Sequence, residues 1–184
     1  MTVGQLLVFV ILSAVLVGIS WRTLGNPRSH GFYRFLAWEV MALMLVFNGP
    51  YWYVDRGELH QNVSWVLLSS SLAVLFGGIY QMRRFGRAGS QRQDDELFAF
   101  ERTSRLVTGG VFRYIRHPMY CSLLLLTWGI AFKRMDTVIL LLAVLSSVLL
   151  WLAARHEEQE CLAYFGDAYR DYMKRSRMFV PFIF

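Results

Sequence analysis

Residues 137–154, TVILLLAVLSSVLLWLAA, carry no charge and run straight into Arg155-His156-Glu157-Glu158-Gln159-Glu160. About 20 helical residues span a bilayer core, within a range of roughly 17 to 25. This stretch is adequate for a span, and its polar end then sits at one membrane face. Working outward, four more blocks have the same character. Residues 1–21 and 61–82 contain no charge, and 35–54 contain one, Glu39. Residues 117–132 are charge-free but shorter. The reading is an all-α membrane protein with five transmembrane helices, the last two forming a helical hairpin, followed by a cytoplasmic segment. The first block lacks the basic leader and short apolar core of a secretory signal, so it is read as a retained helix. The short fourth helix is expected to dip or tilt, with Lys133 and Arg134 snorkelling at the hairpin tip.

Composition agrees. Of 184 residues, 55% are hydrophobic and 17% charged, against about 25% charged in ordinary soluble domains. That richness excludes a disordered chain. Two cysteines, Cys121 and Cys161, exclude a disulfide scaffold and a thiolate zinc site, and no metal ligands are assigned. The layout is one membrane domain: three N-terminal helices in 1–82, a loop at 83–116, and a catalytic hairpin with its tail in 117–184.

Orientation follows the basic residues. The stretches 22–34, 83–116 and the tail from Arg155 hold 16 Lys and Arg, while the opposite side holds Arg56, Lys133 and Arg134. The N-terminus is therefore expected outside and the C-terminal segment in the cytoplasm of a prokaryotic plasma membrane. The net charge of +6 reads as an orientation signal and attraction to anionic membrane lipids. No basic soluble domain suggests nucleic-acid binding. Small residues at four-residue spacing, Ser69, Ala73 and Gly77 on helix three and Ala143 and Ser147 on helix five, are expected to be helix contacts. The loop could form a short surface helix over 94–105.

Chemistry concentrates in two segments. The first runs from Thr108 through Gly109-Gly110 to Arg116-His117-Pro118-Met119-Tyr120. The glycines permit a sharp turn, and Pro118 suits a first helical turn. Arg116 and His117 then stand at a helix entrance, where free N–H groups and partial positive charge suit a carboxylate or phosphate. The second is the acidic run after helix five. The two helices are joined by about four residues, so they are antiparallel neighbours and both segments face one site. A ligand bearing a carboxylate and an ammonium, such as a methionine-type zwitterion, fits that pair. His30 and His60 read as loop or interface residues. Glu39 is a functional candidate because it lies within membrane reach.

The run Gly110-x-Phe112-x-x-x-Arg116-His117-Pro118-x-Tyr120, then Glu157-Glu158, Phe165-Gly166-x-x-Tyr169-x-x-Tyr172 and Phe179-Val180-Pro181, resembles the integral membrane methyltransferases. These include the isoprenylcysteine carboxyl methyltransferases and the phospholipid N-methyltransferases. The likeness covers residues 106–181. It departs at Ser122, where glycine is common, and at Phe112, where tyrosine is common. The resemblance implies S-adenosylmethionine as cofactor, with Gly110, His117, Tyr120, Glu157 and Glu158 binding it. Arg116, His117 and Glu158 are the catalytic candidates. The partner is a lipidic or amphipathic acceptor entering from the bilayer. Arg116 could hold an anionic acceptor or the cofactor carboxylate. His117, His156 or a glutamate could take a proton from an amine acceptor. The aromatic tail reads equally as a cover for the site or an interfacial belt. The alternatives are an NADPH-dependent sterol-type reductase, which the ending Pro181-Phe182-Ile183-Phe184 also resembles, and a non-catalytic membrane scaffold.

Overall fold

The computed structural model describes residues 1–86 and 105–180. Residues 94–104 of the expected surface helix and the ending from Pro181 lie outside the described residues. Six α-helices follow in order: α1 (Val3–Ser20), α2 (His30–Asn48), α3 (Leu59–Phe85), α4 (Pro118–Ala131), α5 (Thr137–Phe165) and α6 (Asp167–Arg175). Single 3-10 turns lie at Gly49–Tyr51 and Gly110–Arg113. Among the described residues no strand forms, only one isolated parallel bridge between Ile115 and Arg177.

Sequence explains the helix starts. Thr2 and Gln5 form a reciprocal capping box on α1. The Ser29 hydroxyl accepts from Phe32 N at the start of α2, and Asp136 accepts from Ile139 N at the start of α5. Pro118 opens α4, as expected. Gly166, at φ +57, breaks the chain between α5 and α6, in a backbone region that favours glycine.

The structure is helical and membrane-integral, but the spans differ in detail from the sequence reading. Four helices, α1, α2 with its 3-10 extension, α3 and α5, are long and apolar enough to cross a membrane. The 14 residues of α4 reach only about 21 Å at 1.5 Å per residue, short of a hydrocarbon core of about 30 Å. The 29 residues of α5 extend about 43 Å, so its last turns leave the apolar zone carrying the acidic run.

α5 packs on α2, and α4 packs between α3 and α5. α1 touches α2 alone among the larger contacts and exposes most of its apolar side chains. Two apolar clusters fill the bundle. Met44, Ile130, Ala131, Ile139 and Ala143 pack towards the α4–α5 connection, the hairpin end. Ala37, Met41, Tyr120, Leu150, Ala153 and Ala154 pack with Met178 and Phe179 towards the other, the tail end.

The expected small-residue stripe on α3 is corrected. Ser69 and Ala73 are exposed, and the packed face is Ser64, Ser71 and Gly78, at seven-residue steps. The Ser64 hydroxyl donates to Gly129 O at 2.6 Å and Ser71 to Ser122 O at 2.8 Å. Gly78 faces the Pro118 ring. The partners step back along α4 as α3 advances, which is antiparallel packing held by hydroxyl-to-carbonyl bonds. On α5, Ala143 is buried as expected, while the Ser147 hydroxyl bonds back to Ala143 O.

Lys133 is a second correction. It does not snorkel but is 1% exposed. Its Nζ donates to Gln61 Oε1 at 3.0 Å and sits 3.7 Å from the Trp65 ring centroid. Aromatic faces and an amide oxygen replace water around the ammonium. Glu39 accepts from the Ser13 hydroxyl at 3.1 Å and so ties α1 to α2.

Candidate active site

The tail end brings the two chemical segments into contact. Arg116 Nε donates to Glu158 Oε1 at 2.7 Å. His117, the N-cap of α4, lies between the two glutamates: Nε2 is 3.5 Å from Glu158 Oε1 and Nδ1 is 3.9 Å from Glu157 Oε2. Tyr120, one turn into α4, interacts with Glu157. Glu158 is 3% exposed, and both of its close contacts fall on Oε1. Its Oε2 makes no hydrogen bond to a described residue.

The tail builds the wall opposite. The α5–α6 break folds Tyr169 and Tyr172 onto Cys161. The Tyr172 hydroxyl donates to Phe112 O at 2.5 Å. Burial pushes both phenols well above the ordinary tyrosine range, so both remain neutral donors. Beyond α6 the chain pairs with the segment before α4. Arg177 N donates to Tyr114 O at 2.9 Å, Arg116 N to Arg177 O at 2.7 Å, and His117 N to Met178 O at 3.2 Å. This pairing sets the backbone of Arg116 and His117, and it packs Met178 and Phe179 into the apolar cluster with Tyr120.

Arg116 is more engaged than the sequence suggested. Besides Glu158, its Nη1 donates to Ser176 O at 2.5 Å and Met173 O at 3.3 Å. It clamps the tail onto α5.

Gly110 stands apart from this cluster. Its φ is +58, and a Cβ there would collide with Gln81. Gln81 Oε1 accepts from Val111 N at 3.0 Å. Glycine is needed at that position to turn the chain against α3, whatever else it touches.

His30, read from sequence as a loop or interface residue, opens α2 and belongs to the buried cluster. It is 1% exposed, and its Nδ1 lies 2.6 Å from Glu160 Oε2. His30, His117 and Arg34 all lie within electrostatic reach of Glu157. Arg34 is buried and lies over the Trp38 ring. The available signal was His30 and Arg34 at i,i+4, one polar face at the start of an apolar helix. His156 stacks on Tyr33, with centroids 4.7 Å apart. Among the described residues, His30 Nε2 and His117 Nε2 are buried without a hydrogen bond.

A cleft of about 500 Å³ opens beside Glu158, within the range of roughly 300–1,000 Å³ usual for small-molecule sites. Arg155, Arg177, Trp151, Met173 and Ser176 help to line it. Carboxylate and guanidinium groups on one cleft suit a zwitterionic ligand, and Glu158 Oε2 offers a polar contact for its cationic group. The donor set therefore fits the amino-acid part of S-adenosylmethionine.

Fold and geometry together describe a helical integral membrane protein with a buried charged cluster beside a cleft at one end of its bundle. The phospholipid methyltransferase family profile matches residues 65–168, more than half of the chain, and the chain belongs to that family. It is 27% identical over 147 residues to methanethiol S-methyltransferase 1 of Bradyrhizobium diazoefficiens, covering 79% of this chain and 49% of the relative. It is 31% identical over 130 residues to mouse protein-S-isoprenylcysteine O-methyltransferase, covering 68% and 44%. Methanethiol S-methyltransferase of Crocosphaera subtropica is 23% identical over 171 residues, covering 89% and 66%. The chain spans about half the length of the first of these relatives. No solved structure matches.

Proposed function

We propose that this protein moves a methyl group from S-adenosylmethionine to a lipidic or amphipathic acceptor at the membrane face. The observation that carries the reading is the contact of Arg116 and His117 with Glu157 and Glu158 beside a cleft of about 500 Å³. The family supports it, with relatives named for methyl transfer to sulfur and to oxygen. The chain crosses the membrane five times in this reading, α4 being the short arm of the hairpin. The N-terminus lies outside and the tail in the cytoplasm, supported by 16 Lys and Arg against 3. A prokaryotic plasma membrane is the proposed location.

When bound, the cofactor supplies a methyl group already activated by its sulfonium. The protein's part is alignment and charge. Glu158 Oε2 holds the ammonium, and Glu157 with Tyr120 meets further polar groups of the cofactor. Arg116 orients Glu158 and fixes the tail. His117 Nε2 takes the proton from an amine or thiol acceptor, whereas a carboxylate acceptor has none to lose. Holding acceptor and methyl group in line contributes at most about 7–11 kcal/mol.

The test has two parts. Calorimetry on detergent-purified protein should show binding of S-adenosylhomocysteine and none of NADPH; the reverse would transfer the protein to the reductase reading. Membranes incubated with isotopically labelled S-adenosylmethionine should yield a labelled acceptor, identified after extraction.

A further inference from the structure

The methyltransferase reading requires a partner for the cofactor's carboxylate, and Arg116 is the obvious residue at the mouth of α4. The structure argues otherwise. Arg116 Nε is held by Glu158, and Nη1 by the carbonyls of Met173 and Ser176. The side chain is 10% exposed, and its charge is already neutralised by Glu158. Recruiting it would break three bonds that close the tail over the site.

Two other guanidinium groups border the same cleft, on Arg155 and Arg177. Both residues are exposed. Neither forms an ion pair with a described residue. Arg155 precedes Glu158 by three positions on α5, so the two share a helix face. Its guanidinium lies 6.0 Å from the Trp151 ring centroid, back along the helix. The backbone of Arg177 is pinned by hydrogen bonds of 2.9 and 2.7 Å to Tyr114 and Arg116, so its side chain departs from a fixed point. With Glu158 neutralised by Arg116, the cleft retains two uncompensated positive charges from these residues. That balance favours an anion, while Glu158 Oε2 remains open to a cation.

We propose that Arg155 and Arg177, not Arg116, bind the carboxylate of the cofactor's amino-acid group, with Arg116 acting as a positioning residue for Glu158 and the tail. This assignment rests on the methyltransferase reading and names the residues that recognise its cofactor. Guanidinium pairs offer the planar, forked donors that suit a carboxylate.

The test compares two nucleosides by calorimetry on full-length protein in detergent. S-adenosylhomocysteine carries the carboxylate and ammonium; 5′-methylthioadenosine lacks both. The variant Arg155→Gln/Arg177→Gln should bind S-adenosylhomocysteine at least about 10-fold more weakly, as expected for loss of a charge-assisted hydrogen bond. Its affinity for 5′-methylthioadenosine should stay within about twofold, which also shows that the variant is folded. Unchanged S-adenosylhomocysteine affinity would overturn this assignment while leaving the methyltransferase reading intact. An equal loss for both nucleosides would likewise overturn it, since the effect would not involve the carboxylate. A parent protein that bound neither nucleoside would remove both readings together.

Discussion

The two ends of the bundle solve the same problem differently. Each buries a cation, but at the hairpin end the polar contacts of Lys133, Gln61 and Asn48 close inside the protein. Lys133 Nζ meets Gln61 Oε1, and Gln61 Nε2 returns to the carbonyls of Tyr51 and Lys133. Asn48 Nδ2 donates to Ile130 O at 2.7 Å. At the tail end Arg116 meets Glu158, yet among the described residues His30 Nε2 and His117 Nε2 stay buried without hydrogen bonds. Buried polar atoms left unmet cost about 1–3 kcal/mol each. A structural junction satisfies its groups, whereas a ligand site keeps some for its visitor. The difference separates the end that holds the fold from the end proposed to bind the cofactor.

Removing a charge at the tail end should give the largest effect. Glu158→Gln leaves Arg116 buried without its carboxylate, a loss of about 3–5 kcal/mol. Both the thermal midpoint in detergent and S-adenosylhomocysteine affinity should fall, as read by scanning calorimetry and titration. A variant with unchanged midpoint and affinity would erase the contrast between the ends. Next, Lys133→Met strands Gln61 Oε1 and should lower stability by about 1–3 kcal/mol, with S-adenosylhomocysteine affinity unaltered. Weakened nucleoside binding there would mean that the hairpin end is coupled to the site.

His30→Gln sharpens the picture within the tail end. It removes a charge-assisted bond to Glu160, at a cost of about 1.5–3 kcal/mol, and the unmet Nε2 with it. If that nitrogen belongs to the reaction, turnover with a proton-releasing acceptor falls while S-adenosylhomocysteine affinity stays constant; equal turnover would assign His30 to packing. The smallest effect is expected from Ser71→Ala, which deletes one bond between α3 and α4. Such bonds in membranes average about 0.6 kcal/mol, measurable as a small drop in thermal midpoint with nucleoside binding preserved.

The apolar blocks were legible because lipid requires long uncharged runs, and the antiparallel α4–α5 hairpin because residues 132–136 leave no room for another path. That pair of facts is enough to bring Arg116 and His117 to Glu157 and Glu158 from the sequence. The packed face of α3 was not legible. Two series of small residues interleave on it, and the choice between 69/73/77 and 64/71/78 depends on where α4 presents Gly129, Ser122 and Pro118. Lys133 misled because a lysine at a helix end ordinarily reaches for water, whereas its cage is assembled from Gln61, Trp52 and Trp65, far away in the chain. The engagement of Arg116 was hidden for a similar reason. Its partners are main-chain carbonyls of Met173 and Ser176, which carry no signature in residue type.

The parallel pairing of residues 114–117 with 177–178 sets an order of assembly. Helices α1 to α5 could all insert and pack while the cradle for a small molecule was still open on one side. Only when residues 176–179 have been synthesised and zipped against the entrance of α4 do Arg116 and His117 acquire fixed backbones. A chain ending at Arg175 would therefore keep all six helices yet lack the backbone partner that fixes Arg116 and His117, so a handful of terminal residues complete the candidate site.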